Sequence, residues 1–122
     1  MESHVTNLET SKKFAKAGIN RASNFMWVMY PTHMDYYLVS IETWKVIVAK
    51  HPHRKHFRAY LLDELLEMAG KQMEILYPYI DALYPNDMKW CAVMDSSYLD
   101  VFTDKSPIES VAASILWQKE ER

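Results

Sequence analysis

The chain is poor in cysteine and in long apolar runs, and both shortages bear on where the protein works. Its 122 residues include one cysteine, Cys91, which excludes a disulfide framework and favours a reducing compartment such as the cytoplasm. No apolar run approaches the ~20 residues that cross a bilayer, and no basic segment followed by an apolar one opens the chain. We therefore expect a soluble cytoplasmic protein with no membrane partner.

Glycine and proline are also scarce, and this shortage bears on the fold. The chain has two glycines and five prolines, whereas a β-rich fold needs a turn signal about every 8 to 12 residues. No repeat of fixed period and no low-complexity linker is visible, and a chain of this length favours one domain with one core. We predict an all-α fold, a single compact bundle of about five or six helices over residues 1–122, with residues 1–8 as a flexible N-terminus.

Neither positive nor negative charge is in large excess. The formal net charge is -2, with 25% charged and 49% hydrophobic residues. Such a balance disfavours both a disordered chain and a polyanion-binding protein, because these show a low apolar content or a clear basic stripe. The composition therefore argues against nucleic acid as a partner.

Apolar residues recur at three- and four-residue steps along most of the chain, which predicts helices. The β-branched run at residues 46–48 keeps a strand as an alternative within the second predicted helix. Ser106, Pro107 and Glu109 give the last helix an N-cap, a first-turn proline and an acidic third residue. The predicted helices cover residues 10–29, 33–50 with Thr32 and Asp35 as a capping pair, 52 to about 75, a short piece within 77–85, and 107–121. Residues 86–105 receive no assignment.

The residues that recur on the inner faces of these helices form the predicted core. They are large and apolar, and each lies on a helical stripe. The predicted core includes Phe25, Leu38, Ile41, Trp44, Val48, Leu61, Leu65, Met68, Ile75, Val111, Ile115 and Leu116.

The segment HPHRKHFR, residues 51–58, is rich in histidine and basic residues. If Pro52 starts a helix, His53 and His56 lie on one face and are spaced to approach a zinc or iron ion, although early-turn histidines are also commonly solvated. Arg54, Lys55 and Arg58 instead suggest an anion-binding patch at a helix start. The acidic residues that follow, from position 63 onward, weigh against that second interpretation.

Large apolar and aromatic side chains are unusually frequent, with eight methionines, eight tyrosines and four tryptophans. Many crowd the junction between the first two predicted helices, where a small core cannot bury them all. Gap-filling in the core explains some of them, and contact with a partner explains the rest. The predicted partner-binding residues are Met26, Trp27, Met29, Tyr30, Met34, Tyr36 and Tyr37.

RAYLLDELLEMAGKQMEILYPYIDAL, residues 58–83, resembles a helix of the heme-oxygenase-like helical superfamily, which includes iron-containing oxidase and thiaminase-like branches. SPIESVAASILWQKEE, residues 106–121, is similar to the alanine-rich helix that follows it. The resemblance covers about half the chain and includes no diagnostic motif. In the metal-dependent branch a histidine follows a glutamate by seven residues, and the counterparts here are Glu67 and Glu74, so the ligand pattern is incomplete. The resemblance implies iron or another divalent metal as the cofactor.

An acidic pair suggests a second enzyme class. Glu64 and Glu67 match the first E-x-x-E pair with which all-helical nucleotide pyrophosphatases hold magnesium. The second pair is incomplete, because Ser97 stands where an acidic residue would precede Asp100. No nucleophile elbow, phosphate-binding loop or zinc-protease motif is present.

The sequence therefore favours a small non-catalytic protein without a cofactor. It would act by protein–protein binding, as an adaptor or inhibitor, with a homodimer as one form of that association. The alternatives are a metal-dependent enzyme, a degenerate relative of the heme-oxygenase-like oxidases, and a nucleotide pyrophosphatase-like protein.

Overall fold

Helices and antiparallel sheets alternate along the chain. The computed structural model describes residues 4–32, 34–70, 73–81, 84–94, 101–104 and 106–121. Two compact units divide the chain, Met1–Leu61 and Leu62–Arg122. The single-domain organisation stays a prediction. No helix in the described ranges is long and apolar enough to cross a membrane.

The first unit has two helices and a three-stranded sheet. The strands lie in the order β2-β1-β3, and both neighbouring pairs are antiparallel. The elements, in chain order, are α1 (Leu8–Lys16), β1 (Phe25–Met29), β2 (Tyr36–Ser40), α2 (Ile41–Lys50) and β3 (His56–Ala59).

The second unit also has two helices and a three-stranded antiparallel sheet. Its strands lie in sequence order, β4-β5-β6, and the last helix packs against β5, β6 and the first helix of the unit. The elements are α3 (Leu62–Ala69), β4 (Met73–Asp81), β5 (Tyr84–Met94), β6 (Val101–Asp104) and α4 (Pro107–Glu121).

The predicted all-α bundle is wrong. In the described ranges the chain has four helices and two sheets. The predicted helices over residues 10–29, 33–50, 52–75 and 77–85 overlap β1, β2, β3 and the β4–β5 pair, and residues 86–105 contain most of β5 and β6. Met26, Trp27 and Val28 are all buried, so β1 lacks the apolar–polar alternation by which a half-exposed strand is recognised.

Local signals that cap helices explain where α1 and α2 begin and end. The Asn7 side chain accepts a hydrogen bond from the Thr10 amide at 2.8 Å, and Gly18, with φ of 80°, turns the chain just beyond α1. The Ser40 side chain accepts from the Thr43 amide at 3.3 Å, so the N-cap of α2 is Ser40, eight residues after the predicted N-cap at Thr32.

The last helix is confirmed at Pro107–Glu121. The Ser106 hydroxyl accepts from the Glu109 amide at 3.4 Å, and the Ser106 amide donates to the Asp104 carboxylate at 3.0 Å. These contacts satisfy amide groups near the helix start, which is the role expected of an N-cap.

The predicted core is confirmed in part. Leu65, Val111 and Ile115 are buried. Phe25, Leu38 and Leu61 are half-buried against the cluster around Trp27. A third group of predicted core residues is only half-buried: Ile41, Trp44, Val48, Met68 and Leu116. The side chain of Ile75 lies outside the described residues.

Thr6 anchors the N-terminal segment to the sheet of the first unit. Its amide donates to the Tyr60 carbonyl at 2.9 Å, and its hydroxyl accepts from the Tyr60 amide at 3.1 Å and lies 2.8 Å from Ser11 Oγ. The Thr6 carbonyl accepts from the Trp27 indole at 3.0 Å. Thr6 is fully buried and Val5 pairs with Leu61, although residues 1–8 were expected to be flexible.

We predict that Thr6→Val lowers the free energy of unfolding by about 1 to 3 kcal/mol, because it leaves the buried Tyr60 amide without its acceptor. Urea denaturation followed by circular dichroism measures the change. Thr32→Val is the matched control, since Thr32 is exposed and should change stability by less than about 0.5 kcal/mol. Equal stabilities for the two variants would contradict the anchor.

We also predict that Gly18→Ala lowers the free energy of unfolding by about 1 to 2 kcal/mol, and Gly18→Asn by less. A Cβ at Gly18 meets nothing within 4 Å, so the cost comes from the positive φ alone, which asparagine tolerates better than alanine. Thermal denaturation of the three proteins measures the order. An alanine variant as stable as the wild type would contradict the left-handed turn after α1.

Candidate functional site

Pairing of β1 with β3 brings two loops together at one end of the first sheet. The strands are antiparallel with Val28 opposite His56, so the loop after β1 lies beside the loop before β3. The Met29 amide donates to the Lys55 carbonyl at 2.9 Å, which extends the pairing into the second loop. Residues about 25 apart in sequence therefore form one surface.

Hydrogen bonds in the backbone fix the shape of both loops. The Tyr30 amide donates to the Asp35 carbonyl at 2.8 Å and closes the loop between β1 and β2. The His51 amide donates to the Ile47 carbonyl at 2.8 Å, and the Arg54 amide to the His51 carbonyl at 3.2 Å. The second loop is thus an ordered continuation of the end of α2.

A pocket of about 360 Å³ opens between the two loops, and we call it the loop pocket. One wall is apolar and the other carries cationic or imidazole groups, and none of the lining residues is acidic. The lining residues are Met29, Tyr30, Pro31, Lys50, His51, Pro52, His53 and Arg54.

Aromatic and apolar side chains surround the loop pocket. The rings of Tyr30 and Tyr37 are 4.5 Å apart, and Arg54 Nη1 donates to the Tyr37 hydroxyl at 3.4 Å. Tyr30 is 38% exposed and Met34 is 80% exposed. The arrangement places an aromatic pair beside a guanidinium group, a combination suited to binding an anionic group with an apolar neighbour.

The predicted partner-binding residues separate into three groups. Met26 and Trp27 are buried in the first unit and fill its core. Tyr36 is half-buried, with its ring 5.8 Å from that of Phe57. Met29 and Tyr30 line the loop pocket, the ring of Tyr37 lies 4.5 Å from that of Tyr30, and Met34 is an exposed residue of the loop between β1 and β2.

The predicted anion-binding residues do not form one patch at a helix start, because no helix begins there. Residues 52–55 are a loop and β3 follows. Arg54 lines the loop pocket, and Lys55 is exposed beside it. Arg58 is a β3 residue whose Nε donates to Asn20 Oδ1 at 2.7 Å.

The predicted metal ligands are not brought together on a helix face. His53 lines the loop pocket, whereas His56 opens β3 with its Nδ1 3.1 Å from the Arg54 carbonyl oxygen. Glu64 and Glu67 belong to α3 in the second unit, and the side chain of Glu74 lies outside the described residues. Among the side chains described, no group of three or more His, Cys, Asp or Glu residues is placed to hold a metal ion.

The sequence did not indicate that Lys50, His51, Pro31 and Pro52 belong to the site. Each proline adjoins the end of a secondary-structure element, and that spacing was the available signal. The missing step was the pairing of β1 with β3, which no local pattern encodes.

Comparisons with models of protein families, with curated proteins and with solved structures found no match. The resemblance to the heme-oxygenase-like superfamily therefore stays a prediction. Residues 58–83, on which it depends, include the end of β3, α3 and β4.

We predict that neither Glu67 nor the pair His53 and His56 holds a zinc, iron, manganese or magnesium ion, since His53 lies in a loop, His56 opens a strand and Glu67 is an exposed residue of α3. Elemental analysis of untagged protein prepared without chelator measures this. Because Glu67 is exposed, Glu67→Ala should change the free energy of unfolding by less than about 0.5 kcal/mol. Stoichiometric metal that disappears in Glu67→Ala, or in the His53→Ala, His56→Ala double variant, would contradict the prediction.

Proposed function

We propose that the chain acts by binding another protein through the loop pocket, as a non-catalytic adaptor or inhibitor without a cofactor. One observation carries the proposal: two loops converge to place Tyr30 and Met29 opposite Lys50 and Arg54 around a pocket of about 360 Å³. Tyrosine, methionine and arginine are enriched at protein interfaces, and a pocket that accepts an anchoring side chain is typical of their energetic centres.

The charge of the loop pocket favours an acidic segment of the partner. Its lining includes a lysine, an arginine and two histidines and no acidic residue. A carboxylate of the partner would meet Arg54, while an adjacent apolar side chain would contact Met29 and Tyr30. Complementary charge raises the association rate and selects the orientation of the partner.

Exposure of large side chains in the loop between β1 and β2 supports the same proposal. Tyr30, which lines the pocket, is 38% exposed, and Met34 of the same loop is 80% exposed. Neither is needed to fill the core of the first unit. A partner that covers them would remove their apolar area from water, which contributes about 25 cal/mol of favourable free energy per Å².

The single cysteine favours a reducing compartment, and we propose the cytoplasm as the location.

The test begins with a photo-crosslinking amino acid at position 30, introduced in the source cell, to identify the protein that lies against the loop pocket. Affinity for that protein is then measured for the wild type and for Lys50→Glu with Arg54→Glu. We expect the double variant to bind at least about tenfold more weakly, because both charges facing the partner are reversed.

Lys13→Glu with Lys45→Glu is the matched control, because it changes the net charge equally at exposed positions that do not line the loop pocket. This control should bind like the wild type. Equal losses in the two double variants would contradict the proposal. A dimer that dissociates only in the Lys50→Glu, Arg54→Glu variant during sedimentation would identify a second copy of the chain as the partner.

A further inference from the structure

The first sheet has a second concave region on one of its faces. Paired residues share a face, so Met26 lies on the same side as Arg58, and Val28 on the same side as His56. The opposite face carries Trp27 and belongs to the core cluster. On the Met26 side, the end of α1, the residues that follow it and Trp44 of α2 enclose a pocket of about 370 Å³, which we call the sheet-face pocket.

Three fully buried side chains give the sheet-face pocket an apolar base. They are Phe14, Met26 and Tyr60, each no more than 1% exposed. The rings of Phe14 and Tyr60 are 5.5 Å apart, and the Tyr60 hydroxyl donates to the Arg21 carbonyl at 3.1 Å. The base is therefore held in place by packing and by a hydrogen bond before any ligand arrives.

A guanidinium group lies at the edge of this apolar base. Arg58 lines the pocket, and its Nε donates to Asn20 Oδ1 at 2.7 Å. Among the described residues, none accepts a hydrogen bond from Arg58 Nη1 or Nη2. The hydrogen bond to Asn20 thus orients the planar group and leaves its two terminal nitrogens for another acceptor, in the geometry that suits a carboxylate.

An indole ring forms another part of the lining. The ring of Trp44 is 5.1 Å from that of His56, and both residues line the pocket. The lining contains one arginine and no lysine, aspartate or glutamate. One guanidinium with no second cation matches a singly charged ligand better than a doubly charged one.

We propose that the sheet-face pocket binds a small organic monocarboxylate with an aromatic body. The carboxylate accepts hydrogen bonds from the Arg58 guanidinium, and the aromatic body packs between Trp44 and the apolar base. The volume lies at the small end of the range of about 300 to 1,000 Å³ found for ligand pockets, which are mostly apolar with a few placed polar groups. The site is separate from the loop pocket and is independent of the proposed protein binding.

The test compares three probes of similar size: phenylacetate, the neutral phenylacetamide and the dianionic phenyl phosphate. Titration calorimetry gives affinities, and the indole N–H signal of Trp44 in a nitrogen–proton correlation spectrum reports the location. We expect phenylacetate to bind and to shift the Trp44 signal. Phenylacetamide should bind about ten- to a hundredfold more weakly, because it lacks the charge-assisted hydrogen bonds to Arg58.

Variants at Arg58 test the assignment of the cation. Arg58→Gln should weaken phenylacetate binding about ten- to a hundredfold without changing the weak binding of phenylacetamide. The affinity of Arg58→Lys for phenylacetate should fall between those of Arg58→Gln and the wild type. Lys13→Gln is the matched control, because Lys13 is an exposed cation that lines neither pocket, and it should leave phenylacetate binding unchanged.

Four results would overturn the proposal. One is the absence of phenylacetate binding with a Kd below about 10 mM. The second is equal affinity of the wild type for phenylacetate and phenylacetamide, a comparison that needs no variant to fold. The third is a loss in Lys13→Gln as large as that in Arg58→Gln. The fourth is tighter binding of phenyl phosphate, which would assign the pocket to phosphate esters.

Discussion

The fold of the first unit depends on the buried hydrogen bonds of Thr6. They join the N-terminal segment to Tyr60, 54 residues away in sequence, and to the Trp27 indole in the central strand. A buried amide or indole N–H without a partner costs free energy, so each of these groups requires the others to stay in place. The hydroxyl contact with Ser11 extends the same constraint to α1.

This constraint links the core of the unit to both candidate sites. Holding Tyr60 and Ser11 positions α1 against β3, which sets the base of the sheet-face pocket. Holding Trp27 fixes β1, and the register of β1 with β3 decides which loops meet at the loop pocket. The pairing of β1 with β3 therefore shapes both pockets. One face of the pair lines the sheet-face pocket, and one end of it adjoins the loop pocket.

The two sites differ in what they present to a ligand. The loop pocket is bounded by exposed side chains such as Tyr30 and carries several cationic or imidazole groups. The sheet-face pocket has a buried apolar base and a single guanidinium, that of Arg58. The first arrangement suits a large charged surface, and the second suits a small molecule with one charge.

The parts of the structure that could be predicted from the sequence are those with local causes. Ser106, Pro107 and Glu109 determine the start of α4 within one turn of helix, and the prediction of that helix was confirmed. Scarcity of glycine was a poor guide to the fold, because the loops of the first unit turn largely at other residues, such as Pro31 and Pro52. Sheet formation was missed because strand pairing depends on residues far apart in sequence.

The candidate sites also divide into features with local causes and features that depend on strand pairing. The sequence predicted Tyr30 and Tyr37 as partner-binding residues, His53 as a metal ligand and Arg54 as an anion-binding residue, each from local composition alone. It could not place them around one pocket, since their proximity follows from the register of β1 with β3. Arg58 was expected beside Arg54 at a helix start, whereas it lies on β3 and lines the other pocket, because a helix and a strand direct neighbouring side chains differently.

Hydrogen exchange of the tryptophan indoles tests the buried anchor most directly. The Trp27 indole donates to the Thr6 carbonyl at 3.0 Å and is 7% exposed, whereas the half-buried Trp44 indole has no acceptor among the described residues. The two signals can be assigned with Trp27→Phe and Trp44→Phe. If the hydrogen bonds of Thr6 anchor this unit, the Trp27 indole proton should exchange at least about a hundredfold more slowly than that of Trp44, since exchange at Trp27 requires local unfolding. Equal exchange rates would contradict it.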